Sequence, residues 1–336
     1  MHLRYPSPGC RGMPAAADEM ATSNEALARS ITRAANRHAY ATIQLLVDRR
    51  RVGDAFRAYG YFRWVDDRLD LGDFDGPQAG AFLARQRALI GAAYRGETMA
   101  AADPEEELLQ ELVGHDPRRE SGLALYIGHM MDVMAFDAVR RGRLISAEEL
   151  ASYTRSLATA VTGALHYFIG GEPKGPRSPA RYLAASGAHI VHMLRDTHED
   201  VARGYFNIPL EVLRQGGISP EQIDSPPYRA WVRGRVERAT RCFRLGRAYL
   251  AQVHSLRCRI ACLAYCIRFE RCLASIRRDA YHLRPGQASE RHAAGSEAAF
   301  LAGVATALWR PSRAVSSVGW SSSATIAGDP AQARPS

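Results

Sequence analysis

The chain has 336 residues, 46 % of them hydrophobic, enough to bury one large core or two modest ones. It holds no run of about 18 apolar residues and no signal-type apolar stretch near its start, so a membrane span and a secretory leader are both unexpected and the expected compartment is the cytoplasm. The net charge of +9 is carried almost wholly by arginine, with Lys174 the single lysine; the arginines are dispersed and accompany no nucleic-acid motif, which points to polyanionic substrates or peripheral contact with an anionic membrane, and away from nucleic acid.

Residues 1–24 are rich in Pro, Gly and Ala without periodicity and read as a disordered segment, after which Ser23-Asn24 offers a helix cap. Helical patterns then run over 25–48 and 52–71. The second of these carries Tyr59, Arg63, Asp66, Asp67 and Asp70. At about 100° per residue Arg63, Asp66 and Asp70 share one narrow face, with Phe62, Val65 and Leu69 beside it. After a break at Gly72–Gly76, patterns at 77–95, 104–114 and 120–141 are separated at Asp116-Pro117.

The pattern at 147–170 includes Tyr153 and Gly163 and stops at a Gly/Pro-rich break, residues 170–176. The next, 179–203, carries a second acidic stripe: His189, His192, Arg195, Asp196, Glu199 and Asp200. Asp196 and Asp200 fall on one face with both histidines, while Val191 and Leu194 lie on other sides. Two helices each presenting a DxxxD pair make an oxygen-rich cage suited to several Mg²⁺ ions and the phosphates they bind. The alternative is a pair of solvated amphipathic helices joined by Arg63–Asp67 and Arg195–Glu199 ion pairs. Apolar residues around both stripes favour the buried, metal-binding arrangement, because buried acids are costly unless they are paired or bind metal.

Short and long helical patterns follow at 219–224, 228–254 and 256–284. The series Arg235, Arg238, Arg241, Arg244, Arg247 drifts around its helix and reads as solvated surface. His254, Cys258, Cys262 and Cys266 recur every fourth residue along about 18 Å of helix, too far apart to meet on one ion, so the cysteines read as core packing. The tail, 286–336, is of low complexity apart from the short apolar stretch Ala298–Trp309, which could touch a membrane or cover a substrate channel.

These residues resemble the squalene/phytoene synthase family, which joins two prenyl diphosphates head to head. Tyr59, Arg63, Asp66, Asp67 and Asp70 match its first motif; Arg195, Asp196, Glu199, Asp200 and Gly204 match its second, followed by Ile208-Pro209 where the family usually has Leu-Pro. The segment Tyr153–Gly163 is similar to a weaker middle motif, and the likeness spans about residues 30–285. The resemblance implies an all-α, single-domain isoprenoid-synthase bundle around a central substrate cavity, over residues 25–285. It implies a prenyltransferase that holds Mg²⁺ on Asp66, Asp70, Asp196 and Asp200 and ionises a farnesyl or geranylgeranyl diphosphate, with Arg63 and Arg195 assisting. The product would be a phytoene- or squalene-type isoprenoid, reached through a cyclopropyl diphosphate. Tyr59, Arg63, Asp67, Tyr153, His192, Arg195, Glu199 and Tyr205 are the expected substrate-contacting residues. No dinucleotide fingerprint occurs, which leans away from NADPH. This chain departs from the family at His189 and His192, where Gln and Asn are usual, and at Asn207, which takes the place of a tyrosine. Such replacements open a different terpene product, or a non-catalytic role, as alternatives. The oligomeric state and the prenyl chain length are not legible.

Overall fold

A computed structural model describes residues 14–70, 74, 76–170 and 178–285, and all regular structure among them is helical. The helices are α1 (Pro14–Ala35), α2 (Arg37–Leu46), α3 (Val52–Asp70), α4 (Gly76–Tyr94), α5 (Pro104–His115), α6 (Gly122–Arg140), α7 (Ala147–Gly170), α8 (Leu183–Ala202), α9 (Leu210–Gly216), α10 (Pro226–Leu250) and α11 (Leu256–Arg278).

Most boundaries fall where the sequence signals lie. The expected helix 25–48 is two helices, because Asn36 accepts the backbone N–H of Ala39 on its side-chain oxygen at 3.0 Å and caps a fresh start. Helix α1 begins at Pro14, inside the segment expected to lack structure, while residues 1–13 and the expected tail 286–336 lie outside the described residues. The short helix expected at 219–224 is a set of turns. Its place is taken by α9, which ends at Gly217 with φ +59°, a left-handed cap suited to glycine.

The core forms where these amphipathic faces meet: Phe56, Tyr61 and Val65 of α3, Leu108, Leu109 and Leu112 of α5, Leu123, Ile127 and Met131 of α6, Val191 and Leu194 of α8, and Val232, Val236 and Phe243 of α10 are all 1 % exposed or less. Burying such side chains is worth about 1.5–3 kcal/mol each, which is why the bundle holds despite dispersed positive charge. Cys242, Cys258, Cys262 and Cys266 are free and buried, in keeping with the packing role expected of them.

Close crossings fix the helices that carry the acids. Helices α6 and α7 run back to back, and a Cβ on Gly163 would come within 2.9 Å of the Gly122 carbonyl. On the far side of α8, Gly246 of α10 brings the two backbones together, since a Cβ there would meet Ala184 N at 2.7 Å. By length and hydropathy α6 is apolar enough to cross a bilayer, contrary to expectation from the sequence; here one side of it packs along α7, Leu125 and Val139 stay exposed, and it ends in the polar pair Asp137 and Arg140.

Candidate diphosphate and metal site

The two acidic stripes stand on α3 and α8, and helices α6 and α7 join them. On α3, Arg63 reaches Asp66 at 3.2 Å and forms a two-point pair with Asp67, the Nε–Oδ2 bond being 3.0 Å. The Arg63–Asp67 pair of the solvated-helix alternative is therefore present. Its counterpart Arg195–Glu199 is not: Arg195 instead closes both nitrogens on Asp196, at 2.6 and 2.7 Å, and Glu199 is exposed. His192 adds Nε2 to the same carboxylate at 3.3 Å.

Between the stripes lies a group that the sequence reading missed. Asp137, on the last turn of α6, accepts from Arg140 Nε at 2.5 Å and from the Tyr153 hydroxyl of α7 at 2.9 Å. Arg140 also donates to the side-chain oxygen of Asn207 at 2.8 Å, and the Asn207 amide donates to Asp200 Oδ2 at 2.7 Å. Its guanidinium lies 4.9 Å over the rings of both Tyr153 and Tyr205. Tyr205 in turn donates its hydroxyl to Asp70 at 3.3 Å. A continuous chain, Asp70–Tyr205–Arg140–Asn207–Asp200, thus ties the two motifs together across the mouth of the bundle. The loop that presents Tyr205 and Asn207 depends on Gly204, whose φ of +82° disfavours side chains and whose carbonyl accepts from Gly142 N at 2.8 Å.

Excess negative charge is the electrostatic signature of the site. The Asp66 carboxyl is pushed up to about 6, first by burial and then by Asp70, against the pull of Arg63. The Asp200 carboxyl is likewise pushed up to about 6 by burial and by Asp196, with Asn207 and Arg140 opposing. Asp137 is raised by burial despite its arginine, and its charge bears on both Asp66 and Asp200. The Tyr205 hydroxyl is pushed up to about 12, mainly by burial and then by Asp70. A small cleft of about 90 Å³, open to solvent, is lined by Asp66, Asp70, Asp137, Met134, Arg141 and Tyr205.

No three acid or imidazole groups among the described residues close on a single point, so the expected cage is not preformed by protein oxygens alone. The donor set nevertheless fits Mg²⁺, a hard cation that takes one or two carboxylates and completes its shell with water and phosphate. Of the residues singled out in the sequence, Asp66, Asp67, Asp70, Arg63, Tyr153, His192, Arg195, Asp196, Asp200 and Tyr205 are drawn into these two clusters and the chain linking them. Tyr59 is half-buried on α3 beside Arg63, with its hydroxyl bonded to Asn36. Glu199 stays on the exposed flank. Asp137 and Arg140 share a largely apolar helix with His129 and Asp132 and carry no spacing motif, so nothing in the sequence singled them out.

Comparison with known proteins bears on the same residues. The sequence model described as squalene/phytoene synthase matches residues 32–293, a span that contains both stripes and the α6–α7 pair. The phytoene synthase of Thermus thermophilus is 29 % identical over 215 residues, covering 62 % of this chain and 69 % of that protein. Among solved structures, squalene synthase HpnC from Alicyclobacillus acidocaldarius aligns with a TM-score of 0.63 at 22 % identity, over 79 % of this chain and 97 % of its own. A dehydrosqualene synthase in complex with ligand aligns with a TM-score of 0.66 at 14 % identity, over 86 % and 98 %. These two likenesses establish the all-α isoprenoid-synthase fold.

Proposed function

This chain belongs to the squalene/phytoene synthase family of prenyltransferases, and from that premise we propose that it couples two farnesyl or two geranylgeranyl diphosphates head to head in a Mg²⁺-dependent reaction. The observation that carries the proposal is the pair of acid stripes tied together through Tyr205, Arg140 and Asn207, with Asp66 and Asp200 both pushed up to about 6. Carboxylates held this close resist ionising together, and a cation shared between them relieves that repulsion.

Asp66, Asp70, Asp196 and Asp200 would hold the metal, which when bound supplies positive charge where the diphosphate's negative charge builds up as the allylic C–O bond breaks. Arg63 and Arg195 already sit beside these acids and offer charge-assisted N–H donors to the leaving diphosphate. Arg140 holds Asp137, Tyr153, Asn207 and Tyr205 in fixed relation, so the mouth keeps its shape as charge redistributes. Beyond the acids, the buried His189 and the partly buried Tyr153 would keep water from a carbocation that water would quench. The second prenyl chain's double bond attacks that cation and loss of a proton closes a cyclopropyl diphosphate; after its diphosphate departs, loss of a second proton gives a phytoene-type olefin, whereas a hydride from NADPH would give a squalene-type one.

The test is incubation of the purified protein with each prenyl diphosphate and Mg²⁺, with and without NADPH, followed by mass spectrometry of organic extracts. A metal-dependent C30 or C40 hydrocarbon, lost in Asp66→Asn and Asp196→Asn, is the expected result. Alcohols, cyclopropyl or cyclic products would keep the diphosphate chemistry and place a divergence at His189, His192 or Asn207. Absence of both turnover and diphosphate binding would refute catalysis and favour a binding role for the fold.

A further inference from the structure

Arginines recur along the whole sequence, but acids accompany them everywhere except on one pair of helices. Together α10 and α11 carry thirteen arginines against two acids, Glu237 and Glu270, a net +11. Taken from the chain's 44 basic and 35 acidic residues, that leaves 31 against 33, so everything outside these two helices sums to −2. The positive excess of the protein therefore belongs to a single antiparallel pair, held in register by Arg247 on Glu270 and by Arg277 on Thr240.

Packing decides which of these arginines face outward. On α10 the side toward α8 is Ala239, Cys242, Phe243 and Gly246, close against Gly187 and Ala184. The drift of about 60° between successive arginines leaves Arg235 half-buried, while Arg238, Arg241 and Arg244 turn away from α8 and are exposed. On α11 Arg271, Arg277 and Arg278 are exposed as well, and the Arg277 bond to the Thr240 hydroxyl joins the two stripes into one face. The two acids of these helices are taken by Arg233 and Arg247. None of the six outward arginines forms an ion pair with an acid among the described residues, so their charge is uncompensated there.

The same face ends in aliphatic side chains. Leu245, among the arginines of α10, is 39 % exposed, and Leu256 at the start of α11 is 53 % exposed. Leu45, 76 % exposed, stands three residues before Asp48, whose ion pair with Arg257 ties the end of α2 to the start of α11. Three of the five large hydrophobic side chains exposed among the described residues thus belong to this end of the bundle. A polyanion alone gives no reason for exposed leucines. The exposed positions between the arginines, Ala248 and Ala274 among them, also hold none of the aromatic rings on which nucleic-acid bases stack. Arginines around projecting aliphatic groups suit the headgroup region of a bilayer, where guanidinium groups meet lipid phosphates and aliphatic tips reach the acyl boundary. We propose that the outer face of α10 and α11 docks this protein on an anionic lipid bilayer. The assignment stands on charge and exposure and is independent of the coupling activity proposed above.

The experiment is cosedimentation of the full-length protein with vesicles of phosphatidylcholine alone, and of phosphatidylcholine with about 30 % phosphatidylserine. Wild type is expected to bind the anionic vesicles and not the neutral ones, its affinity falling about tenfold or more as NaCl rises from about 0.1 to about 0.5 M. Arg238→Gln/Arg241→Gln/Arg244→Gln is expected to weaken that binding about a hundredfold, at roughly fivefold for each basic residue near the lipid. Arg37→Gln/Arg119→Gln/Arg155→Gln removes the same charge from exposed positions elsewhere in the fold and is expected to bind within about threefold of wild type. Leu245→Ser/Leu256→Ser is expected to bind about tenfold more weakly, a loss that persists at high salt because burial of apolar area is not screened. All these side chains are exposed, and unchanged helical circular dichroism shows that each variant is folded. Equal losses in the two arginine variants would reduce the effect to net charge and overturn the assignment of this face. Equal binding to neutral and anionic vesicles, or binding to neither, overturns it too. Tighter binding to duplex DNA than to the anionic vesicles, at equal phosphate concentration, overturns the choice of a bilayer as the partner.

Discussion

On α3, Arg63 divides itself between Asp66 and Asp67, and these three side chains are 37–38 % exposed, whereas on α8 Arg195 clamps Asp196 alone and the two are 18 % and 15 % exposed. The acid pushed up to about 6 is the first of its pair on α3, Asp66, and the second on α8, Asp200. The same DxxxD spacing thus yields an adjustable, solvent-facing half and a half already set by short hydrogen bonds. Both halves feel Asp137, so the repulsion is shared across the bundle and one arrangement of cations relieves both.

If the two halves serve one centre, neutralising either raised acid is expected to cost the same large factor. Asp66→Asn and Asp200→Asn are each expected to lower product formation about 10²–10³-fold, the loss typical when a group stabilising transition-state charge is removed. Asp67→Asn, which weakens the two-point pair with Arg63 but leaves the Asp66 contact, is expected to cost about tenfold or less. Rates of product formation at saturating Mg²⁺ decide it, and an Asp67 variant as damaged as Asp66→Asn would break the comparison.

The set half depends on Asn207. Its replacement by leucine leaves Arg140 without one acceptor and Asp200 without its amide donor, at 3 % exposure for the residue itself. We expect a loss of about 1–3 kcal/mol in urea unfolding, the cost of unmet buried polar groups. No comparable loss is expected from Arg63→Met on the open half, where surface ion pairs contribute about 0–1 kcal/mol.

Acidity gives a third handle. Asp66 and Asp200 titrate in the fold near 6, above the ordinary aspartate range, so the metal-free fold is favoured by their protonated forms. That contribution is full below about pH 4 and is lost as pH rises through about 6. With solvent screening at these half-open positions it is worth about 1 kcal/mol or less. Mg²⁺ with inorganic diphosphate is therefore expected to raise the Tm more at about pH 7.5 than at about pH 5, where protons compete for the same oxygens. Equal increments at both pH values would mean that these acids do not hold the ion.

The acid stripes were legible because helical phase alone puts Asp66 with Asp70 and Asp196 with Asp200, and the fold class because no segment alternates with the period of a strand. What joins them was not legible. Asp137 and Arg140 sit in an apolar helix with no spacing motif, and only the glycine-mediated approach of α6 to α7 brings them beneath Tyr153. Asn207 stood out as a missing tyrosine, and its bonds to Arg140 and Asp200 depend on the Gly204 turn and the return of the chain beside α6. Helix α9 is only seven residues long, too short for periodicity to register.

The smallest effect expected, and the one that bears most on how the two halves are connected, is at Tyr205. Its hydroxyl bonds Asp70 at 3.3 Å at an exposed position, so Tyr205→Phe is expected to change stability by about 0.5 kcal/mol or less and turnover by less than about threefold. The ring remains stacked on Arg140, and Tyr205→Ala is expected to cost more because that cation–π contact goes as well. Product identity, measured by mass spectrometry, separates two roles that rate alone would confuse. If Tyr205→Phe leaves the products unchanged, the hydroxyl only joins the open half to the set half. If the hydrocarbon gives way to an alcohol or a cyclopropyl diphosphate, Tyr205 has taken over the steering that a tyrosine at the position of Asn207 would perform, and the link between the halves is also part of the reaction path.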